Sequence, residues 1–531
     1  MFEDIFDCNK AKNKYQPLTK QIVNNIFRKS RYHLILFKNP LGLVLIFGFV
    51  AVKYVFKQLG GDALGIIYFA LAVNAVLCAI FGMGISSTTV REISAHFYDE
   101  PGYVRNLIQT FSLFYWVVYV LLAVVVYFGA PILVDKWISL KMMDVGTATQ
   151  MLQILAISAL LALPKSLYAS LFRGLQRMEF NNVIDVLSSG LQQFGIIVIL
   201  AFGGGLLLVT YWIAFSFAIG VLFYILAARR FFPWQSFLPL YHSPVVKRNL
   251  RYSSNMASIS LLAIVHTQSD KLIVSKLMPV SLLGFYSFAY STVSKATLLT
   301  SAVADAAFPS FSYLFKANQR DSVMAQYRKL QDLLCFGIVP LFAVIPFAAL
   351  PLFNFVFNPE VAKMLLLPLT FFSLGFYMNG TLNVPYVFSL AVGKPEISAK
   401  ANFLALFIVL PVTGLLIYFF GLTGAAFSWV FYHLFSYSYA VPRFCRECLK
   451  MPVLEWYLHI FKILILVILT YGVGWGLVEF IGSYSILSLI LTYTGATIVF
   501  LACAYFMIGD ELKNRLLQLL RGFMIKILRH N

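Results

Sequence analysis

Apolar residues in this chain come in runs of about 20, separated by short polar gaps, from about residue 34 to residue 508. A helix of that length crosses a bilayer core roughly 30 Å thick. Lipid offers backbone groups no hydrogen-bond partner, and the runs are too long and too uniformly apolar for barrel strands, so each is expected to be a helix. The pattern therefore predicts an all-α, polytopic membrane protein with about fourteen transmembrane helices. Spans 1 to 6 are placed at about 34–57, 64–86, 106–128, 147–169, 182–203 and 206–228. Spans 7 to 12 follow at about 252–274, 281–305, 331–353, 364–391, 401–420 and 423–442, and spans 13 and 14 near 460–480 and 485–508.

This gives a basic N-terminal segment (1–33), a six-helix bundle (34–228), a basic linker (229–251), a second six-helix bundle (252–442), helices 13 and 14 (443–508) and a tail (509–531). Because polar and basic residues precede the first long apolar run, no cleavable signal peptide is expected, and span 1 itself should start insertion. Leu512, Leu516, Leu519, Leu520, Phe523 and Ile527 recur at helical spacing with Lys and Arg between them, which reads as an amphipathic helix on anionic lipid headgroups. A weaker case holds for Ile22 to Phe27, and a plain solvated helix is the blander reading at both ends.

Composition agrees with the pattern: of 531 residues, 60% are hydrophobic and 12% charged, and the mean hydropathy is +0.81. The net charge of +19 would fit a nucleic-acid binder in a soluble chain. Here about 33 Lys and Arg fall on the side shared with the N-terminus and about 6 on the other, with Lys53 and Lys295 inside spans. The charge is thus a topology signal that puts both termini in the cytoplasm, and no nucleic-acid partner is implied. Cys445 and Cys448 have metal-ligand spacing, but no second pair completes a site, so neither a metal nor a cofactor is expected.

Shifting the sequence by about 219 residues aligns recurring features. Gly65, Phe69 and Ala70 fall on Gly284, Phe288 and Ala289, and Gly174 falls on Gly393. With a further shift of one or two residues, Asn182 meets Asn402 and Trp212 meets Trp429. The turns before spans 6 and 12 also match, as Gly203, Gly204 and Gly205 against Gly421 and Gly424. Six spans per unit make the repeat parallel, and two such units enclose a cavity that rocking exposes alternately to each side.

Three stretches carry a resemblance to a known family: LGGDALGIIYF from Leu59 to Phe69, RGLQRMEFNN from Arg173 to Asn182, and SDKLIVSKLMPVSLLGFYSFA from Ser269 to Ala289. Through roughly residue 440 the chain resembles the polysaccharide and oligosaccharide flippases of the multidrug, oligosaccharidyl-lipid and polysaccharide exporter superfamily. That resemblance implies an isoprenoid-pyrophosphate-linked oligosaccharide as substrate, turned from the cytoplasmic to the outer leaflet of a prokaryotic plasma membrane, with glycan polymerases as possible partners. Where the family often has Arg before the Leu-Gly that ends span 1, this chain has Lys57, a less planar cation less suited to bidentate phosphate recognition.

Ionisable side chains within a span are costly against lipid and are read as cavity-lining. Lys53 on span 1, His266, Asp270 and Lys271 on span 7, and Lys295 and Asp305 on span 8 form that set. Lys53, Lys295, Lys271 and His266 are expected to hold the substrate headgroup, since fixed ammonium groups offset the cost of desolvating a pyrophosphate. Asp270 and Asp305 are candidates for a coupling H⁺ or Na⁺. Arg173 and Arg177 flank Gly174 on the loop after span 4, where they would attract an anionic headgroup at the cytoplasmic mouth, and Asp185 is expected at the same interface.

Plainer readings stand beside these: snorkelling for Lys53, a mutual ion pair for Asp270 and Lys271, an interhelical hydrogen bond for His266, and ordinary positive-inside usage for the two arginines. At the level of function, a cation-coupled multidrug exporter of the same superfamily is the alternative. A membrane glycan polymerase or glycosyltransferase is disfavoured, because the sequence carries no nucleophile constellation, metal cluster or large hydrophilic domain.

Overall fold

The computed structural model describes residues 40–482, 484–509 and 512–513, with only the backbone described at 40, 41, 259, 305, 306 and 309. The two amphipathic segments expected at the ends fall largely outside the described residues. The chain is all-α among the described residues, with a single isolated bridge between Ser139 and Pro279.

Spans 1 and 2 are one double-length helix, α1 (Pro40–Phe81), turned at Gly60, whose φ of 85° is a left-handed value that glycine adopts without a Cβ clash. Span 2 continues, after a break at Gly82–Gly84, as α2 (Ile85–His96). Span 3 is α3 (Pro101–Lys136), and span 4 is made of α4 (Val145–Ala159) and α5 (Ala162–Gly174). Spans 5 and 6 are α6 (Met178–Ala201) and α7 (Leu206–Ala228).

In the second half, span 7 is α8 (Ser243–Leu277), which begins well inside the basic linker, and span 8 is broken into α9 (Val280–Ser294) and α10 (Thr297–Lys316). Span 9 lies on α11 (Arg320–Gly337) and α12 (Val339–Val356), and span 10 is α13 (Pro359–Ala391). Spans 11 and 12 again merge, as α14 (Glu396–Arg443), turned at Gly421 with φ 57°. Span 13 is α15 (Val453–Val467) with α16 (Val473–Ile481), and span 14 is α17 (Ile486–Met507).

Among the described residues, ten helical segments are long and apolar enough to cross a membrane. Gly42–Phe81 and Glu396–Leu449 each hold two spans, so these ten account for twelve. The remaining two, spans 7 and 8, carry polar residues through α8 and a break at Lys295. One glycine pair matched by the repeat meets in space: a Cβ on Gly284 would lie 2.8 Å from the Gly65 nitrogen, and one on Gly65 would lie 2.0 Å from the Val280 carbonyl oxygen. Equivalent positions touch where a two-fold axis passes, and only glycine permits this approach.

Spans 13 and 14 are tied to span 9 by Asp332. Its Oδ2 accepts the Gly509 amide at 3.0 Å, and its Oδ1 lies 3.5 Å from His459 Nε2. Cys445 and Cys448 sit in a π-helical turn, Phe444–Leu449, and both are buried. Among the described residues no group of three or more His, Cys, Asp or Glu side chains is placed to hold a metal ion.

Candidate functional site

The charged residues within the spans fall into two kinds, with and without a counter-charge. Asp270 and Lys271 are both buried and face each other at 3.5 Å. The Tyr286 hydroxyl donates to Asp270 Oδ2 at 2.6 Å, while the Lys271 ammonium donates to the Thr267 carbonyl at 2.6 Å and lies 3.8 Å from the centre of the Tyr290 ring. Each charge is therefore compensated within spans 7 and 8, as a buried pair must be if it is not to be severely destabilising. His266 Nε2 lies 2.7 Å from the Asn402 carbonyl oxygen, and the imidazole packs on Tyr432.

His266 and Asp270 line a cavity of about 20 Å³ together with Ser269, Thr413, Trp429 and Tyr432. That is room for about one water molecule.

Lys53 and Lys295 differ from this pair. Lys53 is half-buried, with its ammonium 3.5 Å from the centre of the Phe355 ring on α12. Lys295 sits at the break between α9 and α10 and is exposed. Neither has a carboxylate within ion-pair distance among the described residues. Asp305 lies on α10, and its side chain is outside the described residues. Arg173 and Arg177 are exposed at the end of α5 and the start of α6, with Arg177 lying 3.3 Å from Glu179. Lys57 is exposed near the end of span 1.

Three features escaped the reading of the sequence. Lys165 lies inside span 4 and pairs with Asp185 across α5 and α6 at 2.9 Å. Asp62, buried beside the Gly60 turn, accepts the backbone amides of Lys141, Met142 and Met143 on one carboxylate oxygen, which pins the loop after span 3.

The third is a polar cluster where α2 and the start of α3 meet the first turns of α8. Glu92 is buried, and its carboxylate accepts from Arg91 Nε at 2.8 Å and from the Tyr103 hydroxyl at 2.8 Å. Arg248 donates to Glu100 at 3.1 Å and contacts His96 Nε2 at 2.7 Å, while Asn249 donates to the Tyr103 hydroxyl and accepts from Arg91. The Arg248 guanidinium holds the Glu100 carboxyl below its ordinary range. The signal was a short amphipathic stretch, VREISAH, that had read as a connection between spans.

Among the described residues, hydrogen bonds between the two halves of the chain fall into two groups. One is the cluster just described, extended by the Thr88 and Ser253 hydroxyls at 2.7 Å. The other joins the opposite ends of the spans: Trp137 Nε1 donates to Ser275 Oγ at 3.0 Å, the Lys276 ammonium donates to the Lys136 carbonyl at 2.7 Å, and the Val280 amide donates to the Ser139 carbonyl at 2.9 Å.

These features define a multi-pass all-α membrane protein with cations inside its spans. The chain matches the family described as "Polysaccharide biosynthesis protein" over residues 41–315, more than half its length, and belongs to that family. It is 21% identical over 388 residues to the "Putative O-antigen transporter" of Shigella flexneri, covering 70% of this chain and 87% of the relative. In fold it is similar to the lipid II flippase MurJ in an inward closed conformation, with a TM-score of 0.65 and 16% identity over 89% of this chain and 99% of that one. It is also similar to an inward-facing multidrug resistance MATE family transporter of the MOP superfamily, with a TM-score of 0.62 and 15% identity over 77% and 95% of the two chains.

Proposed function

We propose that the protein is a flippase that carries an isoprenoid-pyrophosphate-linked oligosaccharide from the cytoplasmic to the outer leaflet of a prokaryotic plasma membrane, both termini being cytoplasmic. Family membership and the MurJ-like fold support a lipid-carrying transporter. In this reading the two six-helix units, 34–228 and 252–442, rock about an axis near Gly65 and Gly284, and the two groups of inter-half hydrogen bonds are gates that open alternately.

The observation that carries the choice of an anionic headgroup is the contrast among the lysines. Lys271 is neutralised by Asp270, whereas Lys53 and Lys295 have no such partner among the described residues. An uncompensated ammonium within a span is costly, and a bound pyrophosphate would compensate both. His266 and Lys271 then bound the site without carrying it, and Arg173 and Arg177 serve the cytoplasmic mouth. Asp270 lies beside a cavity the size of one water, and it and Asp305 are the candidates for a coupling H⁺ or Na⁺.

A cationic drug would require a free carboxylate, and Asp270 is already engaged by Lys271 and Tyr286. The reading is tested by reconstituting the purified protein in liposomes loaded with lipid-linked oligosaccharide. Lys53→Ala and Lys295→Ala are expected to reduce transfer between leaflets at least about tenfold while the protein still inserts. Unchanged transfer in both variants would retract the headgroup assignment.

A further inference from the structure

Span 5 carries a face that the proposed function has not yet used. At about 100° per residue, α6 shows three stripes. Val183, Leu187 and Phe194 form an exposed apolar stripe. Ile184, Ser188 and Gly195 are buried, and they pack on α7: Ser188 lies beside Gly220, and Trp212 occupies the space a Cβ on Gly195 would need. The third stripe, across the helix from the exposed apolar one, is polar and comprises Asn182, Asp185, Ser189, Gln192 and Gln193.

Exposure along this stripe falls steadily. Asn182 and Asp185 are exposed, Ser189, Gln192 and Gln193 are half-buried, and Ile196 and Leu200 are buried. Lys165 reaches across from α5 to neutralise Asp185. The side chains of Asn182, Ser189, Gln192 and Gln193 have no hydrogen-bond partner among the described residues. Unpaired amides turned toward hydrocarbon would cost several kcal/mol each by solvent-transfer arguments. The stripe is therefore expected to face water, and it ends against packed side chains at Ile196 and Leu200.

We propose that this stripe is a glycan-binding wall, taking the sugar hydroxyls of the translocated lipid while Lys53 and Lys295 take its pyrophosphate. The inference rests on the function proposed above. Side-chain amides offer a donor and an acceptor side by side, matching neighbouring hydroxyls on a pyranose ring, and a carboxylate accepts from two hydroxyls at once. A site that hydrogen-bonds hydroxyls discriminates strongly against a ligand lacking them, because its own polar groups are then left unpaired.

The test uses the full chain in detergent and two probes: lipid-linked oligosaccharide extracted from cells depleted of this protein, and the same isoprenoid pyrophosphate without sugar. Ser189→Ala combined with Gln193→Ala, and separately Gln192→Leu, should weaken binding of the sugar-bearing lipid about tenfold. Binding of the bare lipid should stay within about twofold, and Gln192→Asn should recover part of the loss. Equal losses on both probes, or none on either, would overturn the wall. If the unaltered protein binds neither probe, the proposed function itself falls, an outcome distinct from failure of the wall alone. An unchanged melting temperature in each variant keeps a folding defect from imitating the result.

Discussion

Spans 5 and 11 occupy matching places in the repeat, Asn182 against Asn402, yet they have opposite characters. Span 5 reads NNVIDVLSSGLQQFG, and its counterpart reads ANFLALFIVLPVTGL. On the same shift Asp185 stands against Ala405, Ser189 against Val409 and Gln193 against Thr413. The first member of each pair is exposed or half-buried, and the second is buried. Asn402 is spent inside the protein, its carbonyl near His266 and its amide oxygen accepting from Tyr432. Thr413 satisfies itself on the Val409 carbonyl. One backbone arrangement thus carries a polar, partly exposed stripe in the first half and buried packing beside a one-water cavity in the second, and only the side chains decide which.

The sharpest way to break this comparison is to exchange characters. Ala405→Asp would bury a carboxylate with no partner provided for it, and a loss of about 3–5 kcal/mol is expected, seen as a collapse of thermal stability in detergent. Next in size is Gly195→Ala. Its Cβ would meet the Trp212 ring at 2.0 Å, which should cost about 1–3 kcal/mol by overpacking. The matching position, Leu415, is exposed, so Leu415→Ala should change the melting point far less.

Asp185→Ala should cost under about 1 kcal/mol, because the carboxylate and its Lys165 partner are solvated. A large loss there would mean the stripe is packed rather than wet. The smallest effect is expected from pH. Glu100 is held below the ordinary Glu value of about 4.3 by Arg248. Its contribution to the contact with α8 is therefore fully present above that value and is lost as pH falls through its lower folded value. Acidification to that range should raise maleimide labelling of a Ser189→Cys variant relative to Val409→Cys, with no change between pH 6 and 8.

Much of the fold was legible in the sequence because lipid leaves the chain few choices: a run of about 20 apolar residues has to be a helix. The glycine repeat was legible too, since Gly65 and Gly284 answer to the same packing demand. What the sequence did not disclose were pairings between helices. Asp270 and Lys271 are neighbours in the chain, and their ion pair could be read there, whereas Lys165 and Asp185 lie 20 residues apart on separate helices and meet only in three dimensions.

Glu92 was overlooked because a buried carboxylate with four polar neighbours resembles, in one dimension, a charged connection. Lys165 was hidden in an apolar run. The polar stripe of span 5 was visible in principle, as polar residues three or four apart from Asn182 to Gln193, but its high apolar content made the span read as uniform.

The meeting of Gly65 with Gly284 bears on how the two copies can diverge. Positions away from that point, such as Asp185 and Ala405, are free to specialise, because a change in one is not felt by the other. At the point of contact a methyl gained by either copy lands on the neighbourhood of its twin, so a single spatial constraint is written twice in the chain and holds both sites small together.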